Sequence, residues 1–334
     1  MKKQSLFGLT PSKQESDMWL IPAPWDATVS YRQGCQQGPE IISQASAQLD
    51  LFHPIYKDVF NDGIYLLDEN ADIKANNDTC RKLAQSIIKK HDNGTALNEK
   101  DNNNQAIINK ACAEVHDWVY QQTEDAIKQE RLVGLIGGDH STSLGIIKAL
   151  SDYIDSFAVL QFDAHMDLRE CYQGFTHSHA SVMKHVLDIP DVSRLIQVGV
   201  RDYCEEELMV MKQSKGRVKT FFNRDIKKEL FQGKTWESIC KKIINNCPEN
   251  VYISFDIDAL SPEHCPSTGT PVPGGLNFDQ IDFLLAQLVK AKKRIVGFDL
   301  VEVAGEKDSV DAIVGARVLG MLLGYYSEAN RVES

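Results

Sequence analysis

The sequence predicts a single α/β domain built on a doubly wound, mainly parallel sheet, and three observations point there. Its apolar runs are short and almost continuously hydrophobic, the pattern of strands buried on both faces. Segments with helical spacing alternate with those runs along the whole chain. No internal repeat or Pro-rich linker divides the 334 residues, and α/β folds of such length occur as one unit.

Taken in order, the first strand is expected at Met18–Ile21. A helix over Glu40–Leu51 follows, with Pro39 near its first turn, where the missing N–H costs little. The second strand falls at Gly63–Leu67, and helical patterns run over Cys80–Lys90 and Ala106–Glu130. Between those two helices, Asn98–Gln105 (NEKDNNNQ) is polar and free of aromatics. It reads as part of a surface insertion covering about 93–105. Strands are then expected at Leu132–Ile136, Phe157–Phe162, Leu195–Gly199, Val218–Phe222, Val251–Phe255 and Arg294–Leu300. The helices among and after them are Leu144–Leu150, His179–Leu187, Trp236–Asn246, Phe278–Lys292 and Val310–Ser327.

Composition narrows the function. With 47 acidic and 36 basic side chains the formal net charge is -11. No Lys/Arg block offsets it, which argues against binding nucleic acid or an anionic membrane. A cationic partner or bound metal suits that sign. The eight cysteines are scattered with no CxxC pair, so neither a zinc ribbon nor a disulfide framework is expected. Met1–Lys13 has no apolar stretch behind its basic residues, and Val318–Tyr326 is too short and Gly-broken to span a bilayer. The expected compartment is a reducing cytoplasm, where the Asn-x-Thr matches at Asn77 and Asn93 carry no meaning.

Open α/β sheets bind ligands beyond the carboxyl ends of their strands, and three of these ends are unusual. Gly137-Gly138-Asp139-His140-Ser141 leaves one strand and enters a helix. Asp163, His165 and Asp167 follow another at spacings of two, so on extended backbone they project the same way. Asp256 and Asp258 share a face after a third, ahead of a loop with Pro262, Pro271, Gly274 and Gly275. Taken alone, the plain alternatives are a histidine satisfied by a neighbouring backbone group for the first segment, a surface turn with solvated acids for the second and an edge-strand charge pair for the third. Together they offer two His and four Asp, enough for two divalent ions with shared carboxylates. An oxygen-rich, thiolate-free donor set favours Mn2+ over zinc or a soft metal, with Mg2+, Fe2+, Co2+ and Ni2+ left open. Two ions roughly 3.5–4 Å apart are a common way to make a hydroxide nucleophile at neutral pH, so a binuclear hydrolase is the inference.

GGDHS, DAHMD and SFDIDALSP…TGTP, in that order, resemble the three metal motifs of the ureohydrolase (arginase/agmatinase) family. Gly34–Ile42 resembles its GxxxGPxxI segment, and Gly297–Val303 its GxDxVEV segment, so the likeness covers about residues 18–325. The resemblance implies a three-layer αβα sandwich with a mainly parallel eight-stranded sheet, and the strand count made above is also eight. It implies that Asp163 and Asp256 bridge two metals, with His140 and Asp167 completing one shell and His165 and Asp258 the other. It implies that Glu302 holds the substrate guanidinium, which is hydrolysed to urea and an amine. A proton must reach that amine; His179, in His179-Ala180-Ser181, matches the family's shuttle step, and His177 is the alternative that could share its face. The family likeness also suggests a trimer or hexamer.

Within the family, Asp167-Leu168-Arg169-Glu170 followed by Ser178–Met183 is similar to the agmatinase branch. The expected reaction is therefore agmatine to putrescine and urea. Arginase, guanidinobutyrase, guanidinase and formiminoglutamase activities are the alternatives in the same class, and a non-catalytic metal-binding scaffold or regulatory homologue is the alternative outside it. Ser261 stands where the family usually has Asp in DxDxxDP, at a position that is not a metal ligand. His264 and Cys265 are expected at the rim of the site, where substrate length is read.

Overall fold

A computed structural model describes residues 5–55, 59–61 and 63–331. Strands β1 (Met18–Ala23) and β2 (Ile64–Leu66) precede two long helices, and α1 (Gly38–Ser46) lies between those strands. The long pair is α2 (Ala71–Asp92) and α3 (Glu99–Lys128). Next come β3 (Leu132–Gly137), α4 (Ser143–Ser151), β4 (Phe157–Phe162), α5 (Val182–Leu187) and β5 (Val192–Val198). The chain continues through α6 (Glu205–Gln213), β6 (Val218–Phe221), α7 (Asn223–Phe231), α8 (Trp236–Ile244) and β7 (Asn250–Asp256). It ends with α9 (Phe278–Lys290), β8 (Arg294–Val301) and α10 (Val310–Asn330).

All eight expected strands are present. They form one sheet in the order β2-β1-β3-β8-β7-β4-β5-β6, and every pairing is parallel. Side chains alternate between two separate cores, as a sheet covered on both faces requires. Ala158, Leu160 and Phe162 of β4 join the core built with α1, α8, α9 and α10. Phe157 and Val159 join the one built with α3, α4 and α5. The result is the three-layer αβα sandwich.

Strand order decides where the chemistry collects. β3, β8, β7 and β4 are consecutive neighbours, so the carboxyl ends that carry the unusual segments stand side by side. β8 sits between β3 and β7, which brings Glu302 to the middle of the row. Gly138 is needed at the first of these turns, because a Cβ there would lie 2.0 Å from the carbonyl oxygen of Trp25.

The expected insertion at about 93–105 needs correcting. Asn98 is the N-cap of α3: its side chain accepts from the Asp101 N–H at 3.0 Å, and the Asp101 carboxylate accepts from the Asn98 N–H at 2.8 Å. Lys90 of α2 pairs with the same carboxylate. Residues 99–105 are the first turns of a 30-residue helix, not a loop. Ile108, Cys112 and Val115 dock that helix against Cys80, Ala84 and Ile87 of α2. Two helices were not expected at all. α6 fully buries only Glu207, and α7 only Asn223 and Ile226; their apolar contacts (Leu208, Val210 and Met211 of α6, Leu230 of α7) are only partly buried, and each helix is only nine residues long. Among the described residues no helix is long and apolar enough to cross a membrane. All eight cysteines are free thiols.

Candidate metal centre

The six expected ligands converge, although not by strand alternation. β4 stops at Phe162, and Asp163–Asp167 is irregular, with Asp167 at φ +54°. Asp258 lies in a short 3-10 turn whose N-cap is Asp256, the last residue of β7, its side chain accepting from the Asp258 N–H. Turns rather than extended backbone aim these acids inward.

Two clusters form. His140 Nδ1 lies 3.0 Å from Asp163 Oδ2, 2.9 Å from Asp167 Oδ2 and 3.5 Å from Asp256 Oδ2. His165 Nδ1 lies 3.1 Å from Asp258 Oδ2 and 3.5 Å from Asp163 Oδ1. Asp163 therefore belongs to both groups, each with spacing suited to one ion, and presents a different oxygen to each. Asp256 presents only Oδ2 to the His140 side, because its Oδ1 accepts from the Asp258 N–H at 2.8 Å.

Supporting hydrogen bonds fix these candidate ligands from behind. His140 Nε2 sits 2.9 Å from Ser254 Oγ, and that hydroxyl donates to Asp299 Oδ1 at 3.0 Å. Asp299 also accepts from the Tyr252 hydroxyl and the Phe255 N–H. With the Ser254 proton directed at Asp299, the assigned tautomer has His140 donating from Nε2 and a bare lone pair on Nδ1. On the other side Gln161 Nε2 donates to Asp163 Oδ2 at 2.7 Å, and Gln197 and Thr220 extend the chain. Ser254, Asp299 and Gln161 lie inside the segments singled out in the sequence, but no supporting role was read for them there. Their signal was a polar or charged side chain inside an otherwise apolar strand.

Electrostatically the protein groups are unbalanced by themselves. Burial, then the charge on Asp163, pushes the Asp167 carboxyl up to about 7. Burial and the neighbouring Asp258 and Asp163 raise Asp256 well above the carboxylate range. Burial opposes charge on His140, yet the surrounding carboxylates raise it well above its usual value. The donor set answers this imbalance: four carboxylates match the charge of two divalent ions. His140 Nδ1, buried and without a hydrogen bond, faces carboxylate oxygens, an arrangement that a shared cation relieves.

Glu302 follows β8 at φ +62°, a conformation that costs roughly 1–3 kcal/mol and is typical of functional sites. Its Oε1 accepts from the His140 N–H at 3.1 Å. A Cβ at position 269 would come within 3.1 Å of Oε2, so the Gly of the TGTP loop leaves that oxygen clear. Burial, then Asp139, pushes the Glu302 carboxyl well above its ordinary value.

A cavity of about 290 Å3 opens on His165, Asp167 and His179, with Ser30, Tyr31, Arg169, Tyr172, Asp202, Tyr203, Glu207 and Thr270–Val272 around it. Hydroxyls flank both nitrogens of His179: Ser30 Oγ is 3.3 Å from Nε2 and Ser178 Oγ is 3.3 Å from Nδ1. Burial, then His165, pushes its pKa down to about 3, so the ring is neutral. His177 does not share that face. Ser178 caps a 3-10 turn over His179–Ser181, and the two histidines diverge there. The His177 ring packs 4.8 Å from His116 and 5.0 Å from His185, away from the cavity. His264 and Cys265 do not line the cavity either; Cys265 is buried, and Thr270, Pro271 and Val272 take the rim instead.

Residues 16–324 match the profile of the arginase family. The chain is 29% identical over 318 residues to the N(1)-aminopropylagmatine ureohydrolase of Synechocystis, covering 93% of this chain and 90% of that one. It is also 29% identical over 312 residues to the agmatinase of Pyrococcus horikoshii, covering 93% and 92%. The fold is similar to the crystal structure of the agmatine ureohydrolase of Thermoplasma volcanium, with a TM-score of 0.73, 22% identity and coverage of 98% and 95%.

Proposed function

Because the chain belongs to the arginase family, we propose that it is a binuclear-metal hydrolase that cleaves agmatine to putrescine and urea. The observation that carries the reading is the pair of imidazole–carboxylate clusters sharing Asp163 beside a cavity. His140 and Asp167 would hold one ion and His165 and Asp258 the other, with Asp163 common to both clusters and Asp256, through Oδ2, as the second carboxylate the ions would share. Mn2+ suits four carboxylates and two imidazoles without thiolate. Two such ions supply Lewis-acid activation of water at neutral pH.

The protein's own groups do the rest. Glu302 would hold the guanidinium through a charge-assisted pair, with its Oε2 toward the glycine of the TGTP loop. His179, neutral and bracketed by Ser30 and Ser178, would relay a proton from the attacking water to the leaving amine through a ring nitrogen. The curated relatives named for agmatine and aminopropylagmatine support a substrate with an amine-bearing tail. The acidic balance of the chain favours a dication as well. We expect a homo-oligomer in a reducing cytoplasm.

The substrate is tested with manganese-reconstituted protein assayed for urea on agmatine and arginine side by side. The expected result is a kcat/KM at least about tenfold higher for agmatine, since Asp202 and Glu207 on the cavity wall disfavour an arginine carboxylate. Equal rates, or a preference for arginine, would sink the agmatine assignment.

A further inference from the structure

On the reading of this site as a guanidino-compound hydrolase, we propose that Asp202 determines specificity by binding an ammonium group at the far end of a short aliphatic substrate tail. Asp202 lies on the cavity wall. Its backbone is anchored to the ligand-bearing loops. The N–H groups of Arg201 and Asp202 both donate to the carbonyl of Ala164, at 2.7 and 3.0 Å. The Arg201 guanidinium donates to the carbonyls of Asp258, Leu260 and Val272. The carboxylate itself is uncommitted: its side chain is 68% exposed, and its one ion-pair neighbour among the described residues is His165 Nε2, 4.0 Å away.

Asp202 lies close to the metal cluster, within the scale of a short substrate. Asp202 stands one imidazole ring and 4.0 Å beyond the nitrogen that faces the metal cluster. An extended four-carbon tail ending in nitrogen spans roughly 6 Å with bonds near 1.5 Å. The other charges on the wall favour a cation. Glu207 is buried, with its carboxylate accepting from the Leu168 and Cys204 N–H groups, so it adds negative potential without a free oxygen. Arg169 is the opposing charge, and its guanidinium rests on the face of Tyr172, 4.8 Å from the ring centre. Two carboxylates therefore face one guanidinium that is already seated on an aromatic ring.

The test compares agmatine with butylguanidine, which keeps the guanidinium and four carbons but lacks the ammonium, and with 4-guanidinobutyrate. In the manganese-loaded chain, Asp202→Asn is expected to lower the agmatine-to-butylguanidine ratio of kcat/KM roughly tenfold or more. An unchanged ratio overturns the proposal. So does an equal fall for both compounds, because Asp202 would then act through His165. So does a preference for 4-guanidinobutyrate that Arg169→Ala removes, which would assign the tail to Arg169. Calorimetric binding of 1,4-diaminobutane against butylamine needs no turnover and keeps this question apart from the hydrolase reading. The loaded wild type should favour the diamine about tenfold and Asp202→Asn should lose that preference; equal affinities in the wild type contradict the proposal even where urea is released.

Discussion

Asp163→Ala is expected to empty both metal sites and to lower urea release by at least about 10³-fold, since divalent Lewis acids contribute several kcal/mol to such reactions. The reason is the sharing of one side chain. Asp163 turns Oδ2 toward His140 and Oδ1 toward His165, and it is fully buried with Gln161 holding it in place. Without that carboxylate neither cluster keeps the charge that holds a divalent ion. Asp258 serves the His165 side alone, so Asp258→Ala is expected to lower the metal content from two ions to one. Metal analysis of dialysed protein reads both variants, and Asp163→Asn separates lost charge from a cavity. A second readout is thermal: manganese should raise the melting temperature of the wild type by binding the folded state, and Asp163→Ala should lose the increment. Wild-type metal content in Asp163→Ala would contradict the sharing.

Glu302→Gln is expected to lower kcat/KM for the guanidino substrate roughly a hundredfold or more, while metal content stays near that of the wild type. The amide oxygen can still accept from the His140 N–H, so the turn that carries the ligand survives. What disappears is a buried negative charge opposite a cation, and breaking such a desolvated pair costs about 2–5 kcal/mol. The raised carboxyl of Glu302 points the same way: burial beside Asp139 makes its charge unfavourable until a cation arrives. Steady-state kinetics and metal analysis on one preparation check both halves. Unchanged kcat/KM would remove Glu302 from substrate binding.

Much of this was legible in the sequence. The central strands β1, β3, β4, β7 and β8 are buried on both faces, so they wrote themselves as apolar runs, and the row β3-β8-β7-β4 then collected the residues singled out at their ends. What escaped has physical causes. The first turns of α3 hide in polar NEKDNNNQ because a capping box and an apolar stripe several residues later hold them helical. His177 was given a face that only extended backbone would provide, and the Ser178-capped turn removes it. Asp299 and Ser254 act through His140 from positions inside strands, and no local spacing announces a contact made across neighbouring strands. Asp202 and Ser30 come from loops far apart in sequence that meet only at the cavity.

The most direct test of the account is a manganese-reconstituted preparation with its metal content measured, assayed for urea and formamide against agmatine, arginine, 4-guanidinobutyrate, guanidine and formiminoglutamate. The account predicts two ions per chain and urea from agmatine, with no formamide. Two bound ions with neither urea nor formamide from any of these compounds would contradict it and leave the site a metal-binding scaffold.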